Sequence, residues 1–238
     1  MGSTHRGERP PHQAEVAPFE MCRTEVTQAQ WTAVMSTRPF DPQLGLGDER
    51  PAQNITWEQA VSYMVSLTKR ENELRAQQGS TLTQCYARIA GEWEWMNPDC
   101  TGYRLPTETE WEYAARAGTS TDYPFDDESR GLYAWSDAKM KFEVQPVARL
   151  RANAWGLFDM QGNVLEWVWD RYRAEGYEAG AGRLGYSGPT SGLARVIRGG
   201  SVLSDTESLR SAYRFGKLSH DTIGLVGFRC ARSLGPSD

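Results

Sequence analysis

Residues Asn153 to Asp170, Asn-Ala-Trp-Gly-Leu-Phe-Asp-Met-Gln-Gly-Asn-Val-Leu-Glu-Trp-Val-Trp-Asp, set two aspartates, a glutamate and two asparagines among three tryptophans and a phenylalanine. Such a mixture suits neither a helix face nor a plain strand. Trp155, Phe158, Trp167 and Trp169 each offer a large area to bury, and Gly156 and Gly162 allow turns that other residues resist. A buried, self-packed loop is expected, and such a loop must satisfy its own N–H and C=O groups. Two readings of its acids stay open. Asp159 and Glu166, with the carbonyls of Gly162 and Val164, form an oxygen shell for a hard cation such as calcium, or the acids cap turns and bond backbone amides.

The four cysteines, Cys22, Cys85, Cys100 and Cys230, have no close CxxC spacing, so a zinc or CxxC redox site is not expected. Cys85 and Cys100 flank a short polar insertion, residues 86 to 99. They either close it as a disulfide in an oxidising compartment or stand as two thiols, and no signal peptide is visible.

These groups need a frame, and the composition says which kind. The 238 residues are most simply one large domain, residues 1–238, with 23 glycines and 12 prolines spread as turn punctuation. Nine tryptophans and ten tyrosines indicate an aromatic core under a polar, loop-rich exterior. A net charge of -5 without a basic run excludes a nucleic-acid binder of the usual kind, and no apolar run reaches the length of a membrane span. Along the chain, residues 15–21 alternate like a strand. Thr27 caps a first helix ending near Met35, and Thr56 caps a second from Trp57 to about Leu74. Thr107 with Glu110 makes a capping box for a short third helix that stops at Gly118. Gln145 to Ala148 reads as an edge strand. Near the C-terminus, three strand-like segments, 195–201, 209–214 and 226–232, alternate with two mixed loops. The arginines in them are expected to pair with acids or stack on tryptophans.

Six stretches in order, Glu25-Val26-Thr27, Trp57-Glu58-Gln59-Ala60, Tyr103 to Arg116, Gly156 to Trp167, Arg198-Gly199-Gly200-Ser201 and Gly227-Phe228-Arg229-Cys230, resemble the formylglycine-generating enzyme (sulfatase-modifying factor) family. The resemblance implies an α+β, C-type-lectin-like fold of that enzyme's type, with few short helices and strands and much irregular structure. It also implies a structural calcium held by Asp159, Gly162, Val164 and Glu166. The family's oxidising members use two cysteines whose matching positions here are about Thr206 and Ser211, and neither can form the thiolate that binds copper or attacks a substrate cysteine. A branch with histidine-ligated iron needs more histidines than His5, His12 and His220 supply. No redox cofactor and no catalysis are therefore expected.

A further branch is closer. Residues 198–232 resemble the variable region of diversity-generating retroelement proteins, in which this scaffold displays residues randomised at adenines. The segment contains no asparagine, and its loop positions are those that randomised asparagine codons yield: Val202, Leu203, Ser204, Asp205, Thr206 and Ser208, then Phe215, Gly216, Leu218, His220, Thr222, Ile223 and Leu225. Phe215, Leu218, Ile223 and Leu225 follow no helical or alternating period. Either several are exposed as a binding surface or half of them pack beneath the loops. The resulting expectation is a non-enzymatic, monomeric binding protein for a protein or cell-surface ligand, placed at a cell surface, outside the cell or on a virion. The alternatives are a metal-dependent oxidoreductase of the same family with a divergent site, and an accessory domain of a larger protein such as a kinase.

Overall fold

The computed structural model describes residues 1–136, 142–178, 181–222 and 224–234. Its three α-helices begin with the same device. Helix α1 (Gln28–Met35), α2 (Trp57–Arg75) and α3 (Glu108–Arg116) each start at a threonine whose hydroxyl accepts from the third helical amide, while that residue's own side chain accepts from the threonine N–H. Thr27 with Gln30, Thr56 with Gln59 and Thr107 with Glu110 thus satisfy two otherwise unbonded donors per helix. Helices α1 and α3 end at Ser36 and Ala117 in left-handed conformation.

Among the described residues, eight short strands complete the frame: β1 (Phe19–Met21), β2 (Tyr86–Ile89), β3 (Glu92–Trp95), β4 (Leu165–Arg171), β5 (Ala194–Arg198), β6 (Phe215–Leu218), β7 (Val226–Phe228) and β8 (Ala231–Ser233). The largest sheet runs β6-β5-β4-β7, with β5 antiparallel and β7 parallel to β4. Strand β1 pairs antiparallel with β8, and β2 with β3 forms a separate hairpin.

The core is aromatic. Trp31 stacks on Tyr63 and meets Phe228 edge-on, while Trp169 stacks on Tyr86 and tilts against Trp57. Two of the buried indoles bond their N–H groups to main-chain carbonyls: Trp57 donates to that of Val168 at 3.0 Å and Trp167 to that of Ile55 at 2.8 Å. A second cluster gathers Trp111, Leu157, Met160, Val168 and Val196, and a third joins Val144, Val164, Val202 and Leu225.

Several sequence expectations change. The 153–170 stretch is a loop only as far as Val164, because Leu165–Arg171 is strand β4, whose interior is buried on both faces, so no alternation announces it. Gln145–Ala148 forms no strand: Pro146 lacks an N–H, Ala148 has φ 58, and the Gln145 amide instead donates to the Asn163 side chain. The strand placed at 209–214 is a 3-10 turn and bends, and the edge strand lies further on, at Phe215–Leu218. The strand expected over 15–21 is confined to Phe19–Met21. The 86–99 insertion is a hairpin turning at Ala90 and Gly91, both at positive φ, beside a Cys85–Cys100 disulfide.

Val202 and Leu225, expected on a display face, are core residues at 1% and 8% exposure. Both belong to the Val144–Val164 cluster, because the chain passes inward at each position: the Val202 amide donates to the Asn163 carbonyl and the Leu225 carbonyl accepts from Leu165. Phe215, by contrast, is 41% exposed. Leu225→Ala is expected to cost about 2–4 kcal/mol and Phe215→Ala less than about 1 kcal/mol, read by urea unfolding. Equal losses at the two positions would contradict this division between core and surface.

Candidate functional site

The loop between Asn153 and Val164 is held by a buried ion pair. Glu166 on β4 receives Arg229 Nε on both carboxylate oxygens, at 3.0 and 2.8 Å, and Arg229 Nη2 at 2.6 Å. Trp111 of α3 donates to the same carboxylate at 2.8 Å. Arg229 also reaches the carbonyls of Phe158, Cys22 and Arg23. Gly162 is obligatory here: at φ 86, an added Cβ would lie 2.1 Å from the Trp135 carbonyl oxygen.

This arrangement does not fit the four-residue calcium shell. Both Glu166 oxygens already serve Arg229 and Trp111, so the carboxylate is charge-paired without a cation. Among the described residues no three His, Cys, Asp or Glu side chains are grouped to hold a metal. The strain lies with two neighbouring acids. Glu25 is fully buried with neither carboxylate oxygen hydrogen-bonded, and Asp159 accepts from the Ala148 amide at 2.8 Å through one oxygen only. Burial, reinforced by repulsion from Asp159, pushes Glu25 well above the usual carboxylate range, and burial raises Asp159 as well. Three acids thus face one guanidinium, and protonation of Glu25 relieves the excess.

A second ionic cluster supports the C-terminal strands. Arg198, at the end of β5, bonds Glu112 and lies 3.6 Å from Glu108, while Arg214 grips Glu108 bidentately at 2.7 Å through Nε and Nη2. Arg195 lies over the Trp57 ring at 3.7 Å and donates to the Trp169 carbonyl. Arg210 closes on Glu8 of the N-terminal arm at 2.6 Å.

Above this frame the candidate display residues divide. Leu203, Asp205, Phe215, Leu218, His220 and Thr222 are exposed, Ser204, Thr206, Ser208 and Gly216 are half-buried, and Ile223 lies outside the described residues. They also have different neighbours. Tyr123 donates its hydroxyl to the Thr206 carbonyl at 2.9 Å, Arg130 donates to the Thr206 hydroxyl, and the Ser211 amide donates to the Asp122 carbonyl at 2.8 Å. The 203–211 segment is thereby tied to the segment that lines a groove of about 580 Å³, with Asp122, Tyr123, Phe125, Asp126, Asp127 and Tyr133 in its wall. Phe125 stacks between Tyr123 and Tyr133, at 5.7 and 5.4 Å. Residues 215–218 instead form the outer strand β6 against β5, where Gly216 meets the Tyr172 ring. The groove escaped sequence reading because 119–150 is irregular; the cue was its aromatics interleaved with aspartates.

Thr206 and Ser211 thus lie next to the segment that lines an aromatic, acid-rimmed groove. Ser211 is fully buried with its hydroxyl unpartnered, and neither it nor Thr206 supplies a thiolate.

The raised acids carry a definite sign. A carboxyl whose folded pKa exceeds its unfolded one contributes stability below the unfolded pKa and loses it as pH rises through the folded value. Glu25→Gln is therefore expected to equal or exceed wild type in stability at pH 8, with the advantage shrinking toward pH 4. Thermal melts across pH, with and without chelator, read this; a wild-type melting temperature that falls on chelation, but not in Glu25→Gln, would place a cation there.

The sulfatase-modifying factor enzyme 1-like domain model matches residues 1–234. The chain is 29% identical over 268 residues to the formylglycine-generating enzyme of Streptomyces coelicolor, covering 94% of this chain and 81% of the enzyme. It is 39% identical over 138 residues to serine/threonine-protein kinase pkn1 of Chlamydia caviae, a match covering 56% of this chain and only 21% of the kinase. Among solved structures, Treponema denticola variable protein 1 superposes with a TM-score of 0.83 at 27% identity, covering 98% of this chain and 91% of that one. With its few short helices, separate small sheets and long irregular segments, the chain has the C-type-lectin-like fold of this group and belongs to the sulfatase-modifying factor enzyme 1-like domain family.

Proposed function

We propose that the protein is a non-enzymatic binding protein whose ligand contacts the 119–133 groove and the adjoining residues 203–208, with the exposed positions of 215–222 as a further variable face. One observation carries the reading: the residues at about the positions where the resemblance sets the oxidising members' two cysteines, Thr206 and Ser211, carry no thiol and lie beside an open groove of stacked aromatics. Likeness to Treponema denticola variable protein 1 supports the same view, as does the absence of asparagine from 198–232. The acid rim of Asp122, Asp126 and Asp127 favours a partner with basic groups, most simply a protein or cell-surface ligand. The Cys85–Cys100 disulfide accords with work outside the reducing cytosol. Display is compatible with this fold because the exposed side chains are not the ones that hold it together.

A display library varied at Leu203, Ser204, Asp205, Ser208, Phe215 and Leu218 tests the reading. Most members are expected to melt within about 5 °C of wild type, and panning against an arbitrary folded target protein is expected to yield binders. A library that mostly fails to fold would sink the proposal.

The second expectation concerns chemistry. The protein loaded with copper and mixed with a cysteine-containing peptide is expected to consume no oxygen above the buffer rate and to leave the peptide thiol unconverted. Sustained uptake with an aldehyde product would make it an oxidase.

A further inference from the structure

The β1–β8 seam brings together the two cysteines outside the disulfide. Met21 pairs with Ala231, so the next opposed residues along the ladder are Cys22 and Cys230, and the Cys22 amide donates to the Cys230 carbonyl at 2.8 Å. Opposed residues in a hydrogen-bonded antiparallel pair stand about 5.5 Å apart at Cα, inside the range a disulfide spans. The surroundings of the two thiols differ: Cys22 is open to solvent and Cys230 is buried at 3% exposure. The neighbouring Cys230 thiol, aided by Arg229, brings the Cys22 thiol down to about 7, whereas Cys230 is pushed well above the ordinary cysteine value by its partner and by burial. An exposed thiolate with a buried thiol behind it is the pairing that thiol–disulfide exchange requires.

A groove of about 410 Å³ opens directly on the pair. Val34, Tyr63, Leu67 and Tyr103 form its apolar wall, and Arg70, which donates to the Ala33 carbonyl, and Glu71, paired with Arg75 at 2.8 Å, add opposite charges for the carboxylate and ammonium of a small peptide. It shares no lining residue with the 119–133 groove.

We propose that Cys22 and Cys230 form a thiol–disulfide exchange site that accepts small peptide disulfides of the glutathione class and ends as a disulfide joining β1 to β8. The Cys22 thiolate attacks one sulfur of the small disulfide, forming a mixed disulfide and releasing one small thiolate, which takes up a proton. Cys230 then loses its proton and attacks the Cys22 sulfur, forming the internal disulfide and expelling the second small thiol. Two protein thiols are oxidised and one small disulfide is reduced to two thiols. The staple would secure a seam of only three paired residues per strand, and the Cys85–Cys100 bond, fully buried at both ends, takes no part.

The test uses the full chain, reduced under native conditions and then exposed to oxidised glutathione at neutral pH, with products read by intact mass and non-reducing peptide mapping. Wild type is expected to end with a peptide linking Cys22 to Cys230, no bound glutathione, and a melting temperature several degrees above its reduced form. Cys230→Ser is expected to retain one glutathione on Cys22, and Cys22→Ser to remain unmodified. If a variant does not fold, the wild-type map alone decides. Persistent glutathione on wild-type Cys22, or failure of both cysteines to react, would overturn the assignment.

Discussion

The fold depends on one buried guanidinium. Arg229 leaves β7, meets the Glu166 carboxylate from β4, and donates to carbonyls of the 153–164 loop and of the segment before α1. Trp111 adds α3 to the same carboxylate. The β4–β7 ladder, the 153–164 loop, the segment before α1 and helix α3 are thereby tied through one pair of side chains. Removing either partner leaves an uncompensated buried charge, a loss of about 3–5 kcal/mol. In a protein whose backbone is largely irregular, such a pair supplies the hydrogen bonds that a longer sheet would otherwise provide.

The same arrangement recurs wherever the C-terminal strands meet the helices. Arg214 and Arg198 converge on α3 through Glu108 and Glu112, and Arg104 grips Glu110 with two bonds of 2.7 Å. Arginine suits these places because its planar fork serves a carboxylate with two donors while its face lies on an indole, as Arg195 does over Trp57. Lysine offers neither geometry. The cluster also explains why α3 is buried despite its acids: Glu108, Glu110 and Glu112 all point to inward-facing arginines.

A frame of this kind separates what folds the chain from what faces outward. The stretch 203–208 is bracketed by buried Val202 and Leu209, and the stretch from 215 is closed by buried Leu225. Between these anchors Leu203, Asp205, Phe215, Leu218, His220 and Thr222 are exposed, and none of them takes part in the buried ion pairs beneath.

The sequence by itself determined the elements whose cause is local. Threonine followed three residues later by glutamine or glutamate specified all three helix starts, and six short motifs in order specified the family and its fold. What it left undecided depends on partners distant along the chain. Strand β4 has no period to betray it, since its interior is buried on both faces. Whether Glu166 faces calcium or a guanidinium rests on Arg229, 63 residues away. Leu225 and Phe215 look alike in sequence, and only the sheet edge on one side and the Val144–Val164 cluster on the other made one surface and one core. The tertiary structure alone brought Cys22 to Cys230 and the 119–133 groove to Thr206, because contacts across such separations are set by how segments pack, not by the residues that flank them.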